Sequence, residues 1–220
     1  MTTEDILKEI LRGEPQLSQE VVNNASMVGP ALIALIKNIR LWHTEDAGRI
    51  AVLHAIRLAS DLHLRDATPV LIDAIFLAYS TRHEDALDDL PVAIAQSGSS
   101  ALLPLTSIVE DRTLEGTIRS VAASALEGLA VLHPETRDEV LSTLRKIIAA
   151  TEESAALRSH AITIVAHFRL PEDSRLIKNT TRAMPMISDL DTDEIDEYFE
   201  RGEDPEAWNA YRASLLEYYQ

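Results

Sequence analysis

The sequence predicts an all-α fold, a right-handed α-α superhelix of about four to five helical hairpins, and three observations predict it. The first is a recurring frame. Counting from Arg119 within Gly116–Ala130, residues Ala122, Ala125, Leu126 and Leu129 fall on one stripe of a helix with about 3.6 residues per turn. Val52, Ala55, Ile56 and Ala59 follow Arg49 in the same frame, and Ala161, Ile164, Val165 and Phe168 follow Arg158. The second is spacing. Arg49 and Arg119 lie 70 residues apart, two periods, and Arg119 and Arg158 lie 39 apart; a fixed period of this size marks a repeat architecture. The third is composition: 7 glycines and 9 prolines in 220 residues are too few for a turn-rich all-β chain. The many alanines on the stripes allow helices to approach closely.

The elements follow in order. Residues 3–12 read as a short amphipathic helix, with Ile6, Leu7, Ile10 and Leu11 on one side and Gly13 just past its end. Ser18 caps a second short helix through Val22, so residues 1–25 form an N-terminal capping unit. The repeat array spans residues 26–188. Val28, Ala31, Leu32, Leu35, Ile36 and Ile39 make the first outer stripe, with Pro30 in the first turn. After a break at Trp42–Glu45 its partner helix covers residues 46–63. Thr68-Pro69 repeats the opening Gly29-Pro30 after 39 residues. In the second partner helix Leu87 takes the arginine's place, and Pro91 predicts a break, with a turn over 84–89 and a short helix over 91–97 ending at Gly98. Leu102, Leu105, Ile108 and Val109 make the third outer helix, with a kink expected at Pro104.

The fourth outer helix carries Val140, Leu141, Leu144, Ile147 and Ile148, opened by Asp138 and Glu139 where a helix start favours negative charge. Its partner covers 154–168, and a degenerate fifth copy begins at Pro171. Residues 189–220 differ in composition: they form an acidic, aromatic C-terminal cap or tail, in which Trp208, Tyr211 and Leu215 share one face of a terminal helix opened by Asp204-Pro205.

The pattern of an outer helix with proline and leucines, a turn, then Arg-x-Ala/Val-Ala-x-x-Ala-Leu or a near variant resembles HEAT repeats. It is most similar to the short bacterial variety of phycobilisome-lyase-type proteins, over roughly residues 26–170. The tetratricopeptide signature is absent. The resemblance implies that the second helix of each pair lines a concave face. By register that face includes His54, Arg57, Asp88, Ser120, Ser124, Glu127 and Thr163. It also implies that Arg49, Arg119 and Arg158 tie neighbouring repeats together by pairing with acids in adjacent turns, rather than forming a cationic ladder for an anion.

Composition bounds function. The formal charge is −16, and 36 acids stand against 20 bases, so the chain repels nucleic acid and anionic membranes and suits a protein partner with a basic surface. Between Asp189 and Glu206 there are ten acids and one arginine. With no cysteine, thiolate chemistry and Cys-based metal sites are excluded. The N-terminus lacks the pattern of a signal peptide and no apolar run reaches membrane-spanning length, so a cytoplasmic location is expected. His160 and His167 share a helical face and His54 lies on another inner helix, but no third ligand accompanies them. Deoxyhypusine hydroxylases, HEAT proteins that bind di-iron through several His-Glu dipeptides, are not matched, since this chain has only His83-Glu84. Asp189, Asp191, Asp193 and Glu200 sit at the ligand spacing of an EF-hand loop, yet Glu194 stands where that loop needs glycine. A helix capped by Asp191 explains the stretch better. Ser120 and Ser124 have no evident base, and no nucleotide or hydrolase motif is present.

The expectation is therefore a non-enzymatic protein-protein interaction module or scaffold, without cofactor, metal or catalytic residues, using its concave face and acidic C-terminal region. Asp88 and Asp89 on the concave side, and Trp208 and Tyr211 on the tail, join the partner-binding candidates; the aromatic tail either docks a partner or seals the last repeat. The rival readings are a tetrapyrrole-binding lyase-like protein or other HEAT-fold enzyme such as a DNA glycosylase, and an acidic inhibitor of the immunity type. The sequence leaves the oligomeric state open.

Overall fold

The structure, a computed structural model, describes residues 3–12, 24–44, 47–184, 187, 192–202 and 205–215. Among these residues every regular element is helical. The α-helices are α1 (Thr3–Arg12), α2 (Ala25–Lys37), α3 (Ile39–Trp42), α4 (Ala47–Asp61), α5 (Thr68–Thr81), α6 (Glu84–Ser97) and α7 (Leu102–Glu110). They continue as α8 (Gly116–Leu132), α9 (Arg137–Ala149), α10 (Ala155–Phe168), α11 (Pro171–Ala183), α12 (Ile195–Glu200) and α13 (Asn209–Arg212). A single 3-10 turn leads into each of α5, α7 and α9 (Arg65–Ala67, Ser99–Ala101 and Pro134–Thr136), so three successive connections are built alike. No single helix among the described residues is long and apolar enough to cross a membrane.

Helices pair as the periodicity predicts: α2 with α4, α5 with α6, α7 with α8, α9 with α10, and α11 with α12. The second helices α4, α6, α8 and α10 then pack against one another in chain order, and α1 lies against α2 and α4. The seams between second helices are made by fully buried alanines, among them Ala55, Ala59, Ala93, Ala122, Ala125 and Ala161. Larger side chains fill the space between the two rows, with Leu32, Ile56, Leu71, Leu90, Leu126 and Phe168 inaccessible to solvent. Each such side chain contributes about 1.5–3 kcal/mol through burial. Trp42 closes the first hairpin; its indole N–H donates to the Ile36 carbonyl at 2.8 Å, and its ring meets His83 edge-on at 5.9 Å.

The three frame arginines act as ties. Arg119 Nε donates to the Val109 carbonyl at 2.9 Å, and its two Nη groups hold Glu153, in the turn of the next hairpin, at 2.9 and 2.6 Å. Arg158 repeats the first bond, to the Ile148 carbonyl at 3.0 Å, but meets Met184 Sδ at 2.9 Å in place of an acid. Arg49 donates to the Arg82 carbonyl of the following hairpin at 2.8 Å. Pairing with an acid thus holds for Arg119, while Arg49 and Arg158 use neutral acceptors.

Several local expectations are corrected. Pro91 does not break its helix: α6 runs unbroken from Glu84 to Ser97 with Pro91 buried inside it, because the burial of Ala86, Leu90, Ala93 and Ile94 on both sides of it outweighs the one missing hydrogen bond. Pro104 makes no kink, since α7 starts at Leu102 and the proline falls in the first turn, where a helix needs no N–H. Pro30 is the reverse case: α2 starts at Ala25, so the proline lies inside the helix. That helix also ends at Lys37, and Ile39, expected on the buried stripe, is 55% exposed. The terminal aromatic segment is not one helix but a 3-10 turn (Pro205–Trp208) followed by the four residues of α13 and extended backbone at Ala213. The helix expected to be capped by Asp191 starts at Ile195, with Glu194 in the cap position. Gly13, the helix from Ser18, and Asp189 and Asp191 lie outside the described residues.

Candidate interaction groove

One face of the second helices forms a groove, and its polar residues arise from helical spacing. On α8 the residues Thr117, Ser120, Ser124 and Glu127 recur three or four apart, and on α10 Ala156, His160 and His167 follow at four and seven; with Asp88 and Pro91 of α6 they line a cavity of about 740 Å³. Polar pairs cross from each helix to the next. Arg57 Nε donates to Asp89 at 2.5 Å, with both side chains nearly buried. Ser60 Oγ donates to Gln96 Oε1 at 2.7 Å. Ser124 Oγ lies 2.9 Å from His160 Nε2, and His167 Nδ1 lies 2.6 Å from Glu127 Oε1.

The electrostatics follow from burial. Desolvation pushes the Asp89 carboxyl up, outweighing the pull of Arg57. It holds the His160 imidazole below its ordinary value against the opposing pull of Glu127 and the Ser120 carbonyl. It raises the Tyr211 phenol, and the neighbouring Glu127 charge and hydrogen bond raise it further.

The groove holds a segment of the chain itself. Residues 205–215 run back across the second helices, from the fourth hairpin to the first, in order opposite to the repeats. Trp208 is 2% exposed and packs on Phe168 at 5.2 Å between ring centres, with the Arg137 guanidinium 5.9 Å from its ring. The Tyr211 hydroxyl donates to Glu127 Oε2 at 2.9 Å and lies 3.0 Å from the Ser124 carbonyl. Gln96 Nε2 donates to the carbonyls of Tyr211 and Ala213 at 3.1 and 3.0 Å. Asp61 accepts the Leu215 N–H at 3.0 Å and the Ser214 hydroxyl. Gly128 makes room for the tyrosine: a Cβ there would stand 2.7 Å from both the Tyr211 ring and Ala95 Cβ.

These positions revise the candidate surface. His54, Asp89, Glu127 and Trp208 are buried, with Glu127 still in the lining of the cavity. Arg57 is held by Asp89, and Tyr211 is half-buried against α8. Asp88, Ser120 and Ser124 line the cavity. Thr163 is exposed, and its hydroxyl returns to the Ser159 carbonyl of its own helix at 3.2 Å. Trp208 covers Phe168 of the fourth hairpin, and Tyr211 lies across α8.

Sequence reasoning passed over Asp61 and Gln96, the two residues that bind the tail's main chain. They are 35 residues apart, one repeat period, at the ends of successive second helices, and that recurrence of a polar residue was the available signal. It also left Ser124 without a base, whereas His160 stands beside it. This pair is not completed to a triad among the described residues. The acid Glu127 bonds His167 and Tyr211, and Ser124 lies mid-helix, where neighbouring N–H groups are engaged by carbonyls one turn back. No group of three or more His, Asp or Glu side chains placed to hold a metal ion occurs among the described residues. No family model matches the chain, and no curated protein or solved structure gives a significant match to it.

Proposed function

We propose that the chain is a short right-handed α-α superhelix of the HEAT type that works as a non-enzymatic protein-binding module, taking an extended segment of a partner protein along its inner groove. The side-by-side order of α4, α6, α8 and α10 supports the architecture. One observation carries the function: Gln96 and Asp61 bond main-chain carbonyl and N–H groups of the segment that lies in the groove, and main-chain recognition of this kind is open to other segments that lie there. The exposed acids Glu84, Asp85 and Asp88 at the start of α6 favour a partner with basic residues flanking the bound segment, over a range of about 8 Å at physiological salt.

The experiment places a photo-crosslinking residue at Thr117, on the groove beside Asp88, and in a separate protein at Asp73, exposed on α5. A partner captured from the native lysate by the groove position alone, and lost on Asp88→Lys, is the expected result. Equal capture at both positions, or capture unchanged by the charge reversal, refutes the proposal. Asp89 is unsuited to this test because its carboxylate is buried against Arg57.

A further inference from the structure

We infer that the groove selects its partner by a register of side chains, Trp-x-x-Tyr-x-x-Ser-Leu, and that residues 205–215 are an internal copy of that ligand, displaced when a partner segment with the same pattern binds. This deepens the reading above and rests on it. The occupant's chemistry is written in the tail. Trp208 and Tyr211 enter separate seats on α10 and α8, and Leu215, four residues further on and buried, is fixed by its N–H at Asp61, the end of α4.

The tyrosine seat is specific in shape and polarity. The bare Gly128 leaves a slot that any side chain there would fill, and Glu127 with the Ser124 carbonyl supplies acceptors for a hydroxyl at its end. Phenylalanine in that slot leaves both acceptors without the hydroxyl. Gln96 is set for its task in advance: Ser60 donates to its Oε1, so its NH₂ group must face the tail. Asp61 takes both the N–H of one residue and the hydroxyl of the residue before it, which selects Ser or Thr ahead of the leucine.

Two observations make the internal copy replaceable. The indole N–H of Trp208 is buried with no acceptor among the described residues, a defect that a partner supplying an acceptor, or an altered seat, removes. The segment is also built from one 3-10 turn, four helical residues and an extended stretch, without the length that stabilises a helix by itself. Short elements of this kind open before the repeats they lie on. The tail holds its place through its covalent link, which raises its local concentration to the millimolar range. An external segment must therefore outcompete a tethered one, and weakening the tethered copy strengthens external binding.

The test uses the full chain and a fluorescent peptide with the sequence of residues 205–215, followed by anisotropy. The full-length Trp208→Ala/Tyr211→Ala protein is expected to bind the peptide at least about tenfold more tightly than the wild type, because the tethered competitor is weakened. A peptide with Tyr211→Phe should bind that variant about tenfold more weakly, and a scrambled peptide of the same composition should not bind measurably. Should the double variant fail to fold by circular dichroism, Ser214→Ala/Leu215→Ala, which loosens the tail's end while leaving every groove residue intact, replaces it with the same expectation against wild type. Equal binding of the scrambled peptide overturns the register while leaving a main-chain-reading groove in place. No binding of any peptide to a folded variant overturns the register and removes the main support of the proposed function as well.

Discussion

Arg119 and Arg158 occupy the same place in the repeat frame, yet removing them has different consequences. Arg119 neutralises Glu153, and both side chains are about 5% exposed or less. Arg119→Ala takes the closest charge from a buried carboxylate, leaving it the Ser154 N–H at 2.8 Å and the Arg112 guanidinium at 3.8 Å, and is expected to cost about 3 kcal/mol in urea-unfolding experiments. Arg158 serves a carbonyl and a thioether, so Arg158→Ala should cost about 1–3 kcal/mol. The Arg119 hydrogen bonds hold the Glu153 carboxyl below its ordinary value of 4.5. Its contribution to stability is therefore fully present above that pH and is lost as the pH falls from 4.5 through the lower folded value. Glu153→Gln should flatten the acid limb of the stability curve across that window; an unchanged acid limb refutes the assignment. Both arginines were legible in the sequence as ties, but the identity of the acid was not, because Glu153 is 34 residues from Arg119.

At the scale of the element, the prolines separate local from tertiary control. Pro30 lies inside α2 and is exposed, so it removes a helical hydrogen bond without contributing packing. Pro30→Ala should stabilise the protein by about 1–3 kcal/mol, read as a higher melting temperature. Pro91 also interrupts a helix but is buried. Pro91→Ala regains the hydrogen bond and leaves a gap of two methylenes, about 1–2 kcal/mol, so its gain should be the smaller of the two. A larger gain at Pro91 than at Pro30 contradicts this account. The hydrophobic stripes located every outer helix between α2 and α11, whereas the exact starts decided what each proline did. Moving a start by a few residues carries Pro104 into a harmless first turn and Pro30 out of one.

At the scale of the whole molecule, the tail is a strap across four hairpins. The second helices α4, α6, α8 and α10 pack in chain order, and where contacts run mainly between consecutive hairpins, cooperativity depends on those seams. The strap adds contacts across the whole array, from Phe168 to Asp61. Trp208→Ala should lower stability by about 3–5 kcal/mol and broaden or split the single unfolding transition; a sharp transition with unchanged midpoint refutes the strap. Gly128→Ala tests the same element from the other side. Its Cβ collides with both Tyr211 and Ala95, and an overpacked seam costs about 1–3 kcal/mol. It should also speed hydrogen exchange at the Leu215 amide, whose N–H is held by Asp61.

The sequence by itself determined that this chain is helical, that its helices come in pairs at a period of about 35–40 residues, and that alanine-rich faces meet. These are properties of neighbours a turn or two apart, and a stripe at helical spacing has one economical way to be buried. Only the tertiary structure decided where the tail goes, that Trp208 and Tyr211 face inward, and that Asp61, Gln96 and His160 stand where they do. Those outcomes depend on residues 36 to 154 positions apart. No local periodicity records such distances, since which side chains meet across packed helices is set by how those helices lie against one another.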